Sequence, residues 1–284
     1  MRNIRDAVTG GDVGRGSTPD GVGHVEVVIV ADRAEGGRIV GTAVSALARE
    51  RPSVVLGLAT GSSPEPVYDD LADRFRQGEL SLERARGFLL DEYVGLPPGH
   101  PESYREVIRR EVTDRLDLPA ESVRGPDGNA ADLVTACADY DAAVRAAGVD
   151  LQLLGVGTDG HVGFNEPGSS LASRTRVKTL TAQTRRDNAR FFDGDVEAVP
   201  QHVVTQGIGT ILAARHLVLL AWGRQKADAV AQLVEGPVTA MVPASALQLH
   251  PHATVVVDEE AAGRLRLANY YRETWAAKPS WQGL

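Results

Sequence analysis

Several things are scarce in this 284-residue chain, and each scarcity excludes a class of protein. Cys137 is the only cysteine, so no intrachain disulfide can form, which fits a reducing compartment. Basic residues are outnumbered, 30 Lys and Arg against 38 Asp and Glu, and the formal net charge is −8. That balance argues against a nucleic-acid partner, which needs a basic face, and an anionic ligand would have to find its counter-charge locally. No apolar run is longer than a strand, so no membrane span is expected. Residues 1–24 are rich in Gly, Asp, Arg, Ser and Thr and hold no apolar core of an export signal. The expectation is a cytoplasmic protein with a flexible extension over 1–24 and a single domain over 25–284.

What is present is a regular alternation. Apolar runs at 25–31, 54–58, 87–90, 151–156, 217–221 and 254–257 read as buried strands, and helical spacing separates most of them. Helices are expected over 34–50 and from about 64 to 76. The second has hydroxyl residues where an N-cap belongs and Pro64 in its first turn. The pattern predicts an α/β fold, an open, mainly parallel sheet with helices on both faces in a Rossmann-like, three-layer arrangement.

Four segments could carry chemistry. Ala59-Thr60-Gly61-Ser62-Ser63 joins a strand to a helix N-terminus, where free N–H groups and hydroxyls suit a phosphate. It reads equally as a capped turn without a ligand, and no Gly-Lys-Ser/Thr follows, so it is not a nucleotide-hydrolysing loop. Asp91 and Glu92 follow the strand 87–90, and a Pro- and Gly-rich stretch comes after them. Neighbouring strand residues point to opposite faces, so at most one acid faces a given pocket, and both could simply mark where a strand meets solvent.

The third segment runs from Leu151 to Pro167: a buried strand that empties into a glycine-rich loop with Asp159, His161 and Glu166. Three proton-transfer groups at the carboxyl end of a strand stand where open α/β sheets place ligands. Gly155, Gly157 and Gly160 spell Gly-x-Gly-x-x-Gly, but His-Val-Gly-Phe-Asn-Glu-Pro follows instead of an apolar helix, and 178–183 offers no acid for a ribose. No dinucleotide is expected. A metal on the same three side chains lacks other supporting ligands, so none is expected either. The fourth segment is a scatter of cations, Arg174, Arg176, Lys178, Arg190 and Lys226, any one of which is ordinarily a solvated charge. They gain meaning beside the Thr60–Ser63 turn, where an anion would need them.

In order along the chain, Ala-Thr-Gly-Ser-Ser-Pro, Leu-Asp-Glu-Tyr-Val-Gly-Leu-Pro, His-Pro-Glu-Ser-Tyr, Asp-Gly-His-Val-Gly-Phe-Asn-Glu-Pro, Ser-Ser-Leu-Ala-Ser-Arg-Thr-Arg-Val-Lys-Thr-Leu-Thr and Leu-Gln-Leu-His-Pro resemble the glucosamine-6-phosphate deaminases from about residue 25 onward. The resemblance implies conversion of glucosamine 6-phosphate and water to fructose 6-phosphate and ammonia in amino-sugar breakdown, with no cofactor and no metal. It implies a substrate phosphate on Thr60, Gly61, Ser62 and Ser63 with Arg190 and Lys226. His161, tuned by Asp159 and Glu166, would open the sugar ring, and Asp91 would take the proton from C2.

Several members of that family are hexamers activated by N-acetylglucosamine 6-phosphate between subunits, and the residues matching that site are Ser169, Arg176, Lys178 and Thr179. The resemblance therefore suggests a homo-oligomer. The chain departs from the activated members at its start, where 24 residues precede the first strand, and near its end, where Tyr270 and Tyr271 match ambiguously. The rival expectations are a 6-phosphogluconolactonase-type hydrolase, which shares an Asp-Gly-His turn, and a sugar-phosphate-sensing domain without catalysis. The tail is too short and too weakly basic for a helix-turn-helix module.

Overall fold

Buried parallel strands must be apolar on both faces, and the six runs found in the sequence become strands of one sheet. In the computed structural model, which describes residues 25–279 and 282–284, they are β1 (Glu26–Val30), β2 (Val55–Leu58), β3 (Arg86–Leu89), β6 (Leu151–Gly155), β9 (Leu217–Ala221) and β10 (Ala253–Asp258). The expected extension over 1–24 lies outside the described residues. A two-residue edge strand, β5 (Val123–Arg124), completes the order β1-β10-β9-β6-β2-β3-β5. Every neighbouring pair in it is parallel.

From β2 the chain walks outward to β3 and β5; from β6 it walks the other way through β9 to β10, beside β1. The walk reverses between β2 and β6, so a crevice opens there at the carboxyl ends of the strands. The helices are α1 (Arg33–Glu50), α2 (Glu65–Arg76), α3 (Tyr104–Ile108), α4 (Leu133–Ala147), α5 (Ala182–Asn188), α6 (Ile208–Ile211), α7 (Ala227–Glu235) and α8 (Ala268–Ala276). Helices α1 and α2 pack together, as do α4 and α6, and the right-handed rule for parallel crossovers puts the two pairs on opposite faces. Gly37 permits the first contact, since a Cβ there would lie 2.3 Å from the Pro66 carbonyl oxygen.

The α1 start follows from its sequence. Asp32 accepts from Glu35 N at 2.8 Å, and the Glu35 carboxylate accepts from Ala31 N at 2.8 Å. The start of α2 differs from expectation: Pro64 occupies the N-cap and no hydroxyl caps the helix. Ser62 and Ser63 are thus left free of the role assigned to them by pattern.

A second sheet was not anticipated. Strands β4 (Asp91–Tyr93), β7 (Arg176–Thr179) and β8 (His202–Thr205) form an antiparallel sheet in the order β4-β8-β7. Beneath it lies a separate apolar cluster that includes Tyr93, Leu96, Phe164, Leu180, Phe192 and Val203. Tyr93 meets Phe192 edge-on at 5.6 Å and Tyr104 at 5.0 Å. Among the described residues no helix is long and apolar enough to cross a membrane.

Candidate active site

The turn after β2 is held from two sides. The buried Tyr68 hydroxyl donates to the Ala59 carbonyl at 2.8 Å and accepts from Ala59 N at 3.2 Å, and Trp222 Nε1, at the end of β9, donates to the Ser63 carbonyl at 2.8 Å. Gly61 takes φ +87°, the left-handed region that glycine tolerates. The hydroxyls of Thr60, Ser62 and Ser63 make no hydrogen bond among the described residues. Gly155 at the end of β6 lies so close that a Cβ there would stand 3.1 Å from Ser63 Oγ.

Two cations from different elements stand near one another at the end of β6, which abuts this turn. Lys226, at the N-terminus of α7, stretches its Nζ to the Val156 carbonyl at 2.8 Å. Burial lowers its pKa, the nearby Arg190 lowers it further, and Asp159 opposes both. The three groups therefore share one neighbourhood. Arg190 lies over the Phe191 ring at 4.6 Å, which steers the guanidinium.

The loop after β6 folds tightly because glycine allows it. Gly157 N donates to the His161 carbonyl at 2.9 Å, and a Cβ on Gly157 would sit 2.2 Å from the imidazole. His161 Nδ1 is 2.7 Å from Asp159 Oδ1, so Nε2 is the nitrogen left to meet a ligand. The hydrogen bond with His161 holds the Asp159 carboxyl well below the usual carboxylate range, and Glu166 contributes in the same direction. Glu166 Oε1 also accepts from Thr184 Oγ1 at 2.9 Å. Potential ligand atoms of Asp159, His161 and Glu166 all lie within 4.8 Å of one another, near enough for a cation. The bonds that already join these groups to each other and to Thr184 suit proton transfer better, since a cation would have to displace them.

Asp91 and Glu92 take opposite parts. Both are buried, at 6% and 9% exposure, so the reading that they mark a solvent boundary is wrong: β4 carries them within the small sheet, on opposite faces. Glu92 closes the start of α3, its oxygens accepting from Tyr93 N, Tyr104 N and Arg105 N at 2.9–3.0 Å. Asp91 has no hydrogen-bond partner among the described residues. Burial, with a smaller push from Glu92, raises its pKa to about 8. Its Oδ2 lies 3.3 Å from where a Cβ on Gly163 would be, so the carboxyl abuts the loop that carries His161 and Glu166.

The structure thus gathers the Thr60–Ser63 turn, Lys226, Arg190, Asp159, His161 and Glu166 at the switch crevice, with Asp91 at its edge. Ser169 shares the loop of Glu166, its N–H donating to the Glu166 carbonyl at 3.0 Å, whereas Arg176, Lys178 and Thr179 lie on β7. Arg176 and Lys178 share one half-buried face of the strand, and Thr179 Oγ1 on the other is 3.2 Å from His202 Nδ1. The Ser169 hydroxyl is buried without a hydrogen-bond partner among the described residues. Tyr270 and Tyr271 both lie on α8. Sequence reasoning missed Tyr68 and Trp222 as the braces of the anion turn. Their signal was weak, a tyrosine one turn into α2 and a tryptophan at a strand's end.

A family model described as glucosamine-6-phosphate isomerases/6-phosphogluconolactonase matches residues 33–257. A glucosamine-6-phosphate deaminase of Streptomyces coelicolor is 64% identical over 261 residues, 92% of this chain and 100% of the relative. One from Mycolicibacterium smegmatis is 60% identical over the same shares. Among solved structures, a monomeric glucosamine-6-phosphate deaminase matches with a TM-score of 0.81 at 40% identity, covering 84% of this chain and 100% of its own. A 6-phosphogluconolactonase from Thermotoga maritima matches with a TM-score of 0.65 at 21% identity, over 83% of this chain and 100% of its own, a likeness of fold alone.

Proposed function

The chain belongs to the family of glucosamine-6-phosphate isomerases and 6-phosphogluconolactonases, and we propose that within it this chain is a glucosamine-6-phosphate deaminase, forming fructose 6-phosphate and ammonia from glucosamine 6-phosphate and water. The substrate phosphate binds the N–H groups and hydroxyls of Thr60–Ser63, with Arg190 and Lys226 as counter-charge. His161 Nε2 takes the C1 hydroxyl proton and returns a proton to the ring oxygen, so the C1–O5 bond breaks and the aldehyde forms. Asp159, held at Nδ1, fixes the ring so that Nε2 faces the sugar through both transfers, with Glu166 beside the pair.

Asp91 then removes the C2 proton. The C2–H electron pair forms a C1–C2 double bond as the C1 oxygen takes a proton from the neighbouring substrate ammonium, giving a neutral enolamine. Asp91 returns its proton to C1, leaving an iminium at C2. Water adds there, ammonia leaves, and the C2 ketone remains. A carboxyl poised near 8 is a stronger base than an ordinary one, and the cationic substrate amine beside it draws it into its ionised form.

Asp91 is the single observation that favours this reading. A lactonase would need the anion turn and a histidine, and a sensor only the turn; neither uses a buried carboxyl held free of hydrogen bonds against the histidine loop. The test is release of products from glucosamine 6-phosphate by purified protein, with chelator and no added cofactor. Ammonia and fructose 6-phosphate in equal amounts are expected. Binding without release would favour the sensor, and turnover of 6-phosphogluconolactone alone the lactonase.

The same proposal extends to an effector. The unpartnered Ser169 hydroxyl and the half-buried pair Arg176 and Lys178 support a second sugar-phosphate site for N-acetylglucosamine 6-phosphate, shared between copies in a hexamer. A sigmoidal rate curve that the acetylated sugar makes hyperbolic, with sedimentation as a hexamer, is the expected result. An unchanged curve from a monomer, the state named for the solved relative at 40% identity, would remove the effector and the hexamer together.

A further inference from the structure

The proposed reaction needs two proton-transfer groups on different elements to address one sugar, and nothing in the roles above fixes their separation. Asp91 rides on β4 of the small sheet, whereas His161 and Glu166 ride on the loop after β6 of the large one. We infer that Thr205, supported by Asn165, is the positioning residue that clamps the histidine loop to the strand pair carrying Asp91.

Three observations carry this. Thr205 lies directly across from Asp91 in the β4–β8 register. Gln206 N donates to the Leu90 carbonyl at 2.7 Å in the adjoining pair and Val94 N to the His202 carbonyl at 2.9 Å three pairs the other way, and in an antiparallel ladder hydrogen-bonded pairs alternate with unbonded ones. Asp91 and Thr205 therefore form a pair of the narrow kind, in which side chains approach most closely. Second, Phe164 N donates to Thr205 Oγ1 at 3.2 Å, and Asn165 Nδ2 donates to the Gln206 carbonyl at 2.8 Å. Two successive loop residues are thus sutured to the end of β8, and Thr205 and Asn165 are both fully buried. Third, the Gly163 Cβ position is 3.1 Å from Thr205 Oγ1 and 3.3 Å from Asp91 Oδ2. The loop backbone is wedged against the hydroxyl and the carboxyl at once.

A threonine serving only as core would satisfy its hydroxyl locally, and Thr205 Oγ1 does reach the Gln206 carbonyl at 3.3 Å. What sets it apart is the amide it accepts from the catalytic loop. Thr205→Val keeps the shape and removes that acceptor, while Thr205→Ser keeps the hydroxyl.

The inference rests on the deaminase reading, so wild-type ammonia release is measured first. Thr205→Val is expected to lose about 10–100-fold in kcat, the cost of misplacing a reacting group by an ångström, with KM for glucosamine 6-phosphate within about threefold because the anion turn is untouched. Thr205→Ser should stay within about threefold of wild type in both. A folded Thr205→Val with wild-type kcat overturns the clamp, as does a Thr205→Ser as impaired as the valine variant. If Thr205→Val does not fold, hydrogen exchange of the Phe164 amide in the wild-type protein decides. Exchange as slow as β8 supports the clamp, and exchange as fast as an open loop overturns it. Absence of wild-type ammonia release would instead remove the deaminase reading, and the clamp's purpose with it.

Discussion

The large sheet and the small one solve opposite problems. In the large sheet, strands such as Leu217–Ala221 are wholly buried and aliphatic, and the polar groups at its crevice are paired or open to ligand. The small sheet buries two adjacent carboxyls on opposite faces and hydrogen-bonds only one of them among the described residues. Glu92 receives three backbone N–H groups, while Asp91 receives none and is pushed to about 8. Stability is built into the first region, and in the second one group is held at a cost to stability where it is chemically useful.

If that contrast is right, substitutions should separate activity from stability according to region. The largest effect after Asp91 itself is expected at the dyad. Asp159→Asn and His161→Gln should each lower kcat by on the order of 10²–10⁴-fold, as measured by ammonia release, with melting temperature little changed. Lys226→Met should act chiefly on binding. Loss of a charge-assisted contact to phosphate predicts an increase in KM of about tenfold or more, and the variant should be less sensitive to added salt than the wild type.

Stability should respond to Asp91 in the direction opposite to activity. Its carboxyl titrates near 8 in the folded chain and near 3.8 ordinarily, so between those values the folded chain holds a proton that the unfolded chain has lost. Stability from that proton is complete below pH about 4 and drains away as pH rises through about 8. Asp91→Asn removes the titration, so thermal melts should show it more stable than wild type by on the order of a few °C at pH 8, with the gap narrowing toward acid. A variant that melts below wild type at pH 8 would show that the carboxylate is well solvated after all. The smallest effect is expected far from both sites: Asp32→Ala removes the α1 cap and should cost about 1 kcal/mol in denaturant unfolding, with turnover unchanged.

The same contrast explains what could be read from the sequence. A buried parallel strand is a contiguous apolar run, and so β1, β2, β3, β6, β9 and β10 were visible to within a residue or so at each end. The carboxyl ends of those strands followed as the place for a ligand, and with them the Thr60–Ser63 turn and the Asp159–His161 loop, whereas the strand order that opens the crevice did not. The small sheet was invisible because its strands have three or four residues, mix charge with apolar side chains, and pair across more than a hundred residues, Asp91 with Thr205. From residues alone Asp91 and Glu92 stayed interchangeable. Only the α3 N-terminus, brought back against Glu92, tells them apart. The hydroxyls of Ser62 and Ser63 could be read either as a cap or as phosphate ligands, and only the structure, which gives the cap to Pro64, separates the two.

The most direct test of the account is ammonia release from saturating glucosamine 6-phosphate by Asp91→Asn. Turnover at or below about one hundredth of wild type, in a variant that still binds the sugar phosphate, is the predicted result. Substantial turnover would contradict it, because the unsatisfied carboxyl within the small sheet would then be an accident of packing and the C2 proton would leave by another base.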